Sequence, residues 1–232
     1  MGYVHAMLQL PRIPELAQRD RFVRRAVKEG RVLTLADEQL ASVASQKLAG
    51  RSVQLFWSSP IEAKRWAEAL AGDDALQIIP LPTFASDILP GIGAAKGMAG
   101  TDWVADPIEA EIDPADLLLR LKTESLNLYV ANLEAHGEVY LVAGDDGPLV
   151  EIVQRRQAEV KRLVLFTTRQ DAERYMKRSG GASVMSDPVA DFRGSTLRWA
   201  AERGYEIAIE PILGAGPLDL KPHALAARFS AA

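Results

Sequence analysis

The chain has 232 residues, a formal net charge of −4 and no cysteine. The missing cysteines exclude a disulfide framework, a thiolate nucleophile and a cysteine-ligated zinc or iron–sulfur site. The slight acidity argues against a general nucleic-acid binder, which usually carries a basic excess, and apolar and charged fractions of 48% and 25% are those of a globular protein.

Residues 1–19 are expected to form a lead-in to the first globular segment. Residues 1–11 lack the basic region and the cleavage site of a signal peptide. No apolar run in the chain approaches the roughly 18 residues needed to cross a bilayer. These features predict a cytoplasmic protein that has no membrane-spanning segment and does not bind membranes.

The first element after the lead-in is a predicted helix over residues 19–28, whose apolar side chains recur at helical spacing. Gly30 is suited to end it, because glycine adopts the left-handed conformation without strain. Strands are predicted over residues 32–35 and 53–57, with a further strand around residues 41–45. These segments give the first half a sheet with at least one covering helix.

The clearest local signal in the chain is a helix start at Ser59-Pro60-Ile61-Glu62. Ser59 can accept hydrogen bonds from the first turn, Pro60 needs no backbone donor there, and Glu62 completes a capping box. An apolar stripe that includes Ala63 and Trp66 follows at helical spacing. The pattern predicts a second helix and explains the hydroxyl as a cap.

The remainder of the first half is predicted to contain two more helices and one more strand. Residues 83–89 are predicted to form a short helix that Pro90 ends. The glycine-rich residues 91–97 match neither the dinucleotide-binding fingerprint nor the P-loop, so they are interpreted as a link. A strand over residues 101–105 and a last helix starting at Asp113 complete this half.

The second half of the chain repeats the first in the same order. Gly30 and Gly137 align at a shift of 107 residues, and Trp57 and Phe166 align at a shift of 109. Four blocks keep this order: residues 21–36 with 128–143, 55–66 with 164–175, 100–107 with 204–211, and 113–117 with 221–225. Length alone allows one domain or two. The blocks predict a lead-in (residues 1–19) and two repeats (residues 20–123 and 124–232).

Within each half, strands follow one another without a regular alternation of strand and helix. Such an order favours an α+β fold over a parallel α/β sheet. We therefore predict two similar tandem α+β halves, each with a mixed or antiparallel sheet covered by helices. Thr168 and Asp171 repeat the helix cap of the first half, and Pro222 starts the last helix.

The polar residues give no catalytic or metal-binding pattern. The hydroxyls that flank the two caps are explained by capping, without a nucleophilic role: Ser58, Ser59, Thr167 and Thr168. The histidines are far apart and lack metal-ligand spacing: His5, His136 and His223. We predict no catalytic residue, no cofactor and no metal, and an enzymatic role is disfavoured.

Aromatic and basic residues supply the candidates for an interface or a cleft. Alternation along a strand places Phe56 and Trp57 on opposite faces of the sheet. One of them must then be covered by a second layer, by the other half or by a partner. The basic segment could face an acidic partner or a phosphate-bearing ligand, or it could be a solvated hairpin edge. The candidate residues are Trp57, Trp103, Arg155, Arg156 and Arg162.

The two halves resemble small bacterial families. The second half resembles the N-terminal domain of the SseB-like family through Phe166, Thr167, Thr168, Asp171, Ala172 and Tyr175. The first half is similar to a related family of uncharacterised bacterial proteins through residues 55–60, Trp66, Trp103, Pro114 and Leu117. The resemblance implies an α+β fold with no established enzymatic activity, and it supplies no catalytic residue. Lys221 departs from it, because the first half has the capping Asp113 at that position.

These observations favour a non-catalytic interaction or regulatory module that binds another protein, such as an immunity-type partner, in a bacterial cytoplasm. A homodimer is a further candidate state. The alternative is a small-molecule-binding protein or enzyme with a cleft between the two halves. Its residues would come from strand ends near Trp57, Trp103, Glu109 and Arg162.

Overall fold

The computed structural model divides the chain into two units, unit 1 (residues 1–121) and unit 2 (residues 122–232). It describes residues 13–36, 40–70, 76–104, 110–144, 147–155, 158–209 and 218–229.

The described elements of unit 1 include the helices and strands predicted from the sequence, although the strand predicted over residues 101–105 ends at Thr101. Two further strands, at residues 76–80 and 111–112, were not predicted. In chain order the described elements are α1 (Ile13–Glu29), β1 (Arg31–Leu35), β2 (Ser42–Ala44), β3 (Ser52–Trp57), α2 (Pro60–Leu70), β4 (Leu76–Pro80), α3 (Leu81–Thr83), a π turn (Phe84–Ile88), α4 (Leu89–Ala94), β5 (Met98–Thr101), β6 (Glu111–Ile112) and α5 (Pro114–His136), which continues past residue 121. As predicted, α1 ends at Gly30, whose φ of 66° is left-handed.

The strands of unit 1 form one mixed sheet. Its order is β4-β1-β3-β5-β6, and β2 pairs with the beginning of β3. β3 and β5 are parallel, with Val53 beside Met98, whereas the other described neighbours are antiparallel. This arrangement of a mixed sheet with helices confirms the predicted α+β class.

Helices of the same unit cover both faces of this sheet. Trp57 faces α2, where its ring centroid lies 6.0 Å from that of Trp66. Phe56 faces the opposite side and lies 4.7 Å from the ring of Phe84, which in turn contacts Phe22 of α1. Both strand aromatics are fully buried. The second layer that alternation requires is therefore supplied within unit 1.

One helix differs from its predicted form. The chain is helical from Leu81 to Ala94 through Pro90, and residues 91–94 are part of α4. The N–H of Leu89 donates to the carbonyl of Phe84, five residues earlier, which defines the π turn. Pro90 is tolerated because it lies in the first turn after the π turn, where its missing N–H costs little.

The spacing of the apolar residues explains the π turn. The large buried side chains along this helix are separated by three, five and three residues: Leu81, Phe84, Leu89 and Ile92. The small side chain of Ala85 is buried as well. In a regular α-helix a five-residue step overshoots one turn by about 140°. A wider turn at this step brings Phe84 and Leu89 to the same side of the helix, so that both reach the core.

The described elements of unit 2 after α5 have a similar order, with four strands before α6 where unit 1 has three before α2. They are β7 (Glu138–Gly144), β8 (Gly147–Pro148), β9 (Val150–Arg155), β10 (Ala158–Leu165), α6 (Arg169–Ser179), β11 (Ser183–Pro188), α7 (Val189–Asp191), a second π turn (Phe192–Thr196), α8 (Leu197–Glu202), β12 (Glu206–Ile209), β13 (Leu218–Leu220) and α9 (Pro222–Phe229). The predicted cap of α6 is confirmed, because Thr168 accepts a hydrogen bond from the N–H of Asp171 at 3.2 Å.

Strand pairing in unit 2 corresponds to that in unit 1. β10 and β12 are parallel, as β3 and β5 are, and β7 pairs antiparallel with β11, as β1 does with β4. The ladder between β1 and β3 corresponds in unit 2 to a single bridge from Tyr140 to Phe166. The strands consequently divide into two sheets, β13-β12-β10-β9 and β11-β7-β8. The Trp57–Trp66 contact has its counterpart in Phe166 and Tyr175, whose ring centroids are 5.2 Å apart.

Deletion of Ser86 tests the origin of the first π turn. Ser86 is exposed in the π turn, and its loss would bring Phe84 and Leu89 to the four-residue spacing of an α-helix. We expect a decrease in the free energy of unfolding below about 2 kcal/mol. Urea denaturation followed by tryptophan fluorescence measures it, because three of the four tryptophans lie in unit 1.

The control is deletion of Lys64, an exposed residue of the regular helix α2. That deletion rotates one side of the helix by about 100° relative to the other, so it should cost clearly more stability. Equal losses from the two deletions would contradict the explanation by apolar spacing.

Candidate functional site

The carboxyl ends of β3 and β5 are the best-defined candidate site in unit 1. These adjacent strands are parallel, and the chain leaves them in opposite directions. After β3 the chain passes through α2 to β4, which lies to one side of β3 in the strand order. After β5 it reaches β6, which lies to the other side. In open α/β sheets, such a topological switch point is the usual place for a ligand. Ser58 follows β3, and Asp102 follows β5.

Asp102 joins the ends of the two strands. Its φ of 50° is left-handed, a conformation that aspartate adopts more readily than most residues. The backbone N–H of Asp102 donates to the carbonyl of Phe56 at 2.8 Å. Its carboxylate accepts from the Ser58 N–H at 2.6 Å and from Ser58 Oγ at 2.8 Å. This fully buried carboxylate therefore has a hydrogen-bond donor at each oxygen.

Helix α1 reaches the same strand ends through two side chains. Arg21 Nε lies 3.6 Å from Asp102 Oδ2, and Arg21 Nη2 lies 3.5 Å from Glu62 Oε1 in the first turn of α2. One turn earlier in α1, Gln18 Nε2 donates to the carbonyls of Thr101 and Asp102 at 3.0 and 2.6 Å. We name Arg21, Ser58, Glu62 and Asp102 the switch-point cluster.

Burial dominates the electrostatics of Asp102. It raises the pKa of the Asp102 carboxyl above its ordinary value, because the charged form loses hydration. The hydrogen bonds from Ser58 and the charges of Arg21 and Arg25 act in the opposite direction. The carboxylate is thus compensated by fixed donors and by neighbouring cations.

Glu62 is subject to the same effects with one addition. Burial and then the charge of Asp102 raise the pKa of Glu62, whereas Arg21, Arg25 and Arg65 lower it. Arg25 and Arg65 are exposed, and neither makes an ion pair with another residue of the described ranges. We name Arg25 and Arg65 the rim arginines. Arg21 is therefore the ion-pair partner of both carboxylates, and the rim arginines add positive charge near Glu62.

The structure brings two of the sequence-predicted site residues together in the core of unit 1. Trp57 Nε1 donates to the carbonyl of Trp103 at 2.9 Å, and Trp103 Nε1 donates to the carbonyl of Ala110 at 3.0 Å. Trp66 of α2 contacts both rings. The exposed fractions of Trp57 and Trp103 are 0% and 5%. Their indoles therefore support the strand ends from inside the core.

The predicted basic residues belong to unit 2. Arg162 is paired there with Glu151, with Nε 2.6 Å from Oε2, and Tyr175 donates its hydroxyl proton to the same carboxylate. Burial and that hydrogen bond raise the pKa of Tyr175 above its ordinary value. Arg155 is the last residue of β9. Arg156, like Glu109 of unit 1, lies outside the described residues.

The polar residues of the switch point differ between the units. The sequence offsets place Leu128 and Asn132 of unit 2 at the positions of Arg21 and Arg25. The positions of Ser58, Glu62 and Arg65 correspond to Thr167, Asp171 and Arg174. Arg174 forms an ion pair with Asp171 at 3.0 Å. The two arginines of α1 are therefore specific to unit 1.

Within the described ranges, no helix combines the length and the apolar character that a membrane crossing requires. The same ranges contain no group of three or more histidine, aspartate and glutamate side chains placed to hold a metal ion.

The comparison with protein families gives a match to the first half of the chain. A family model described as "Protein of unknown function (DUF2750)" matches residues 19–121. No curated protein matches the chain. The match supports an uncharacterised family for the first half, whereas the SseB-like resemblance of the second half stays a prediction.

Solved structures give only distant likenesses. Tic22 of Anabaena, described as a protein-transport protein, is 13% identical, with 82% of this chain and 91% of that chain covered and a TM-score of 0.24. Tic22 from Plasmodium falciparum is 8% identical, with 73% and 84% covered and a TM-score of 0.22. At these scores neither likeness bears on function.

The substitution Glu62→Gln tests the electrostatics of the cluster. A carboxyl whose pKa is raised on folding binds more protons in the folded state, so its contribution to stability is present at low pH and decreases as the pH rises through the folded pKa. Glu62→Gln removes this contribution. We expect the free energy of unfolding of the variant to fall less steeply than that of the wild type as the pH rises above 4.5, the ordinary pKa of this carboxyl.

Urea denaturation at a series of pH values measures the difference. Glu68→Gln, which changes an exposed carboxylate on the same helix, is the control and should leave the wild-type slope unchanged. Parallel pH dependences for Glu62→Gln and the wild type would contradict the assignment.

Proposed function

We propose that the chain is a tandem duplication of one α+β fold, with a lead-in over residues 1–19 and repeats over residues 20–123 and 124–232. We further propose that it acts in a bacterial cytoplasm as a non-catalytic module that binds or regulates another protein. The duplication is supported by the similar order of helices and strands and by the corresponding strand pairings. The π turns add a detailed correspondence, because both occur at the same place and with the same apolar spacing.

The hydrogen bonds of the hydroxyl groups support a binding role over a catalytic one. Ser58 Oγ donates its proton to Asp102, and the second oxygen of that carboxylate is held by the N–H of the same serine. Thr168 Oγ1 lies 2.6 Å from Asp171 Oδ2 and accepts from the Asp171 N–H. In both places the hydroxyl fixes the start of a helix beside a strand end. A nucleophilic serine or threonine would instead need a base that is free to take its proton.

The contrast between the units is the observation that carries the interaction proposal. Both units keep the aromatic contact below the strand ends and the π turn, so packing is maintained. At the surface, Arg21 and Arg25 of unit 1 correspond to Leu128 and Asn132 of unit 2. Arg21 pairs with the buried Asp102, whereas Arg25 is exposed and has no ion pair within the described ranges, so the packing of unit 1 does not depend on Arg25. A surface that varies over a maintained core is what recognition produces.

Affinity capture tests this function. The full-length tagged chain, expressed in its native cells at its natural level, should retain a specific protein at modest salt. That protein, purified separately, should then form a stoichiometric complex with the chain in light scattering. A particle of twice 25.3 kDa without any other protein would instead identify a homodimer.

Recovery of only the bare chain, together with release of a small molecule on denaturation, would contradict the interaction proposal. That result would favour the alternative, a small-molecule-binding protein or enzyme with a cleft between the two halves. Mass spectrometry of the denatured sample distinguishes the two outcomes.

A further inference from the structure

Three arginines are carried by the two helices, α1 and α2, that the Arg21–Glu62 ion pair connects at the switch point of unit 1. Arg21 forms the ion pair with Glu62, and Arg25 lies one turn further along the same face of α1. Arg65 follows Glu62 by three residues on α2, so it lies on the same side of that helix. Arg25 and Arg65 both act on the charge of Glu62. The three guanidinium groups therefore share a single region of the surface, although they come from two helices.

Within the described ranges, Asp102 and Glu62 form ion pairs with only one of the three arginines, Arg21. Asp102 is fully buried and is held by Ser58, so it is not accessible to an outside group. Glu62 has an ion pair only with Arg21 within the described ranges. The rim arginines remain exposed beside it without an ion pair there. These exposed arginines occur on a chain whose formal net charge is −4.

Hydrogen bonds join the two helices that carry the arginines to the ends of β3 and β5. Gln18 binds α1 to the end of β5, and the Asp102–Ser58 hydrogen bonds join β5 to the start of α2. Helix positions joined in this way hold their side chains more rigidly than loops do, which lowers the entropy cost of binding. The rim arginines are therefore presented on two helices whose ends are linked to the same pair of strands.

Resting on the function proposed above, we propose that Arg21, Arg25 and Arg65 bind a run of carboxylates in an acidic segment of the partner protein. Arginine suits this role, because its planar donors match carboxylate oxygens in pairs. The rim arginines lie on two separate helices and are exposed. Successive carboxylates along a peptide can reach such separated charges, whereas one small anion would be held best by donors that meet at a single point.

Fluorescence anisotropy tests the proposal with the full-length chain. The probe is a fluorescein-labelled peptide containing six glutamates, and the matched probe has six glutamines. We expect the glutamate peptide to bind at low ionic strength, to bind more weakly as salt is added, and to bind far better than the glutamine peptide.

The double variant Arg25→Gln/Arg65→Gln should weaken binding of the glutamate peptide about five- to tenfold, as expected for two exposed charge pairs. Arg198→Gln, which removes an exposed arginine of unit 2, is the charge control and should leave the affinity within about twofold of the wild type. Circular dichroism and the thermal midpoint should be unchanged in both variants, since these side chains are exposed.

Equal affinity of the wild type and the double variant would overturn the proposal. Binding of inorganic phosphate with the same arginine dependence, but without binding of the glutamate peptide, would also overturn it and assign the site to a small anion. The captured partner separates this inference from the function on which it rests. If the partner binds the double variant as tightly as it binds the wild type, the interaction function stands and the arginine site is wrong.

Discussion

The central strand β3 carries large apolar side chains on both faces of the sheet, and this determines where the helices of unit 1 pack. Because successive residues point to opposite faces, Trp57 and Phe56 cannot be covered by one layer. Helix α2 covers the first, and the helix with the π turn covers the second, with α1 beside it. The need to place Phe84 over Phe56 also explains why that helix departs from regular geometry. Its next large core side chain, Leu89, lies five positions further on.

The same packing creates the polar cluster. Two buried parallel strands that end side by side leave backbone groups and the start of a helix at one edge of the sheet. Asp102 satisfies the Ser58 N–H and hydroxyl there, and Arg21 and Gln18 connect that edge to α1. A buried carboxylate is costly unless it is paired and hydrogen-bonded. Both conditions are met here, so the cluster links three elements that are distant in the sequence.

What the sequence could predict was local. The helix that begins at Pro60 and the cap formed by Thr168 depend on residues within one turn, and both follow from the amino-acid pattern. The strands at residues 31–35 and 52–57 followed from apolar runs in the same way, whereas the more exposed strands at residues 76–80 and 183–188 were missed. The π turn was missed because Pro90 and Gly91 gave a strong local stop signal. The apolar spacing of three, five and three residues was the available sign that the helix continues.

The switch-point cluster could not be predicted in this way. Asp102 and Ser58 are 44 residues apart, and Arg21 is still further from Asp102, so no short pattern contains them. The only local sign was a polar residue directly after each of two buried strands, and strand order is needed to show that these strands are neighbours. Trp57 and Trp103 were predicted as interface or cleft residues because they are large aromatics, yet their size is what places them in the core. The residues that we propose to meet a partner are instead exposed arginines of α1 and α2. The net charge of the whole acidic chain does not reveal them. Net charge describes the average surface, whereas recognition depends on how a few side chains are distributed on rigid elements.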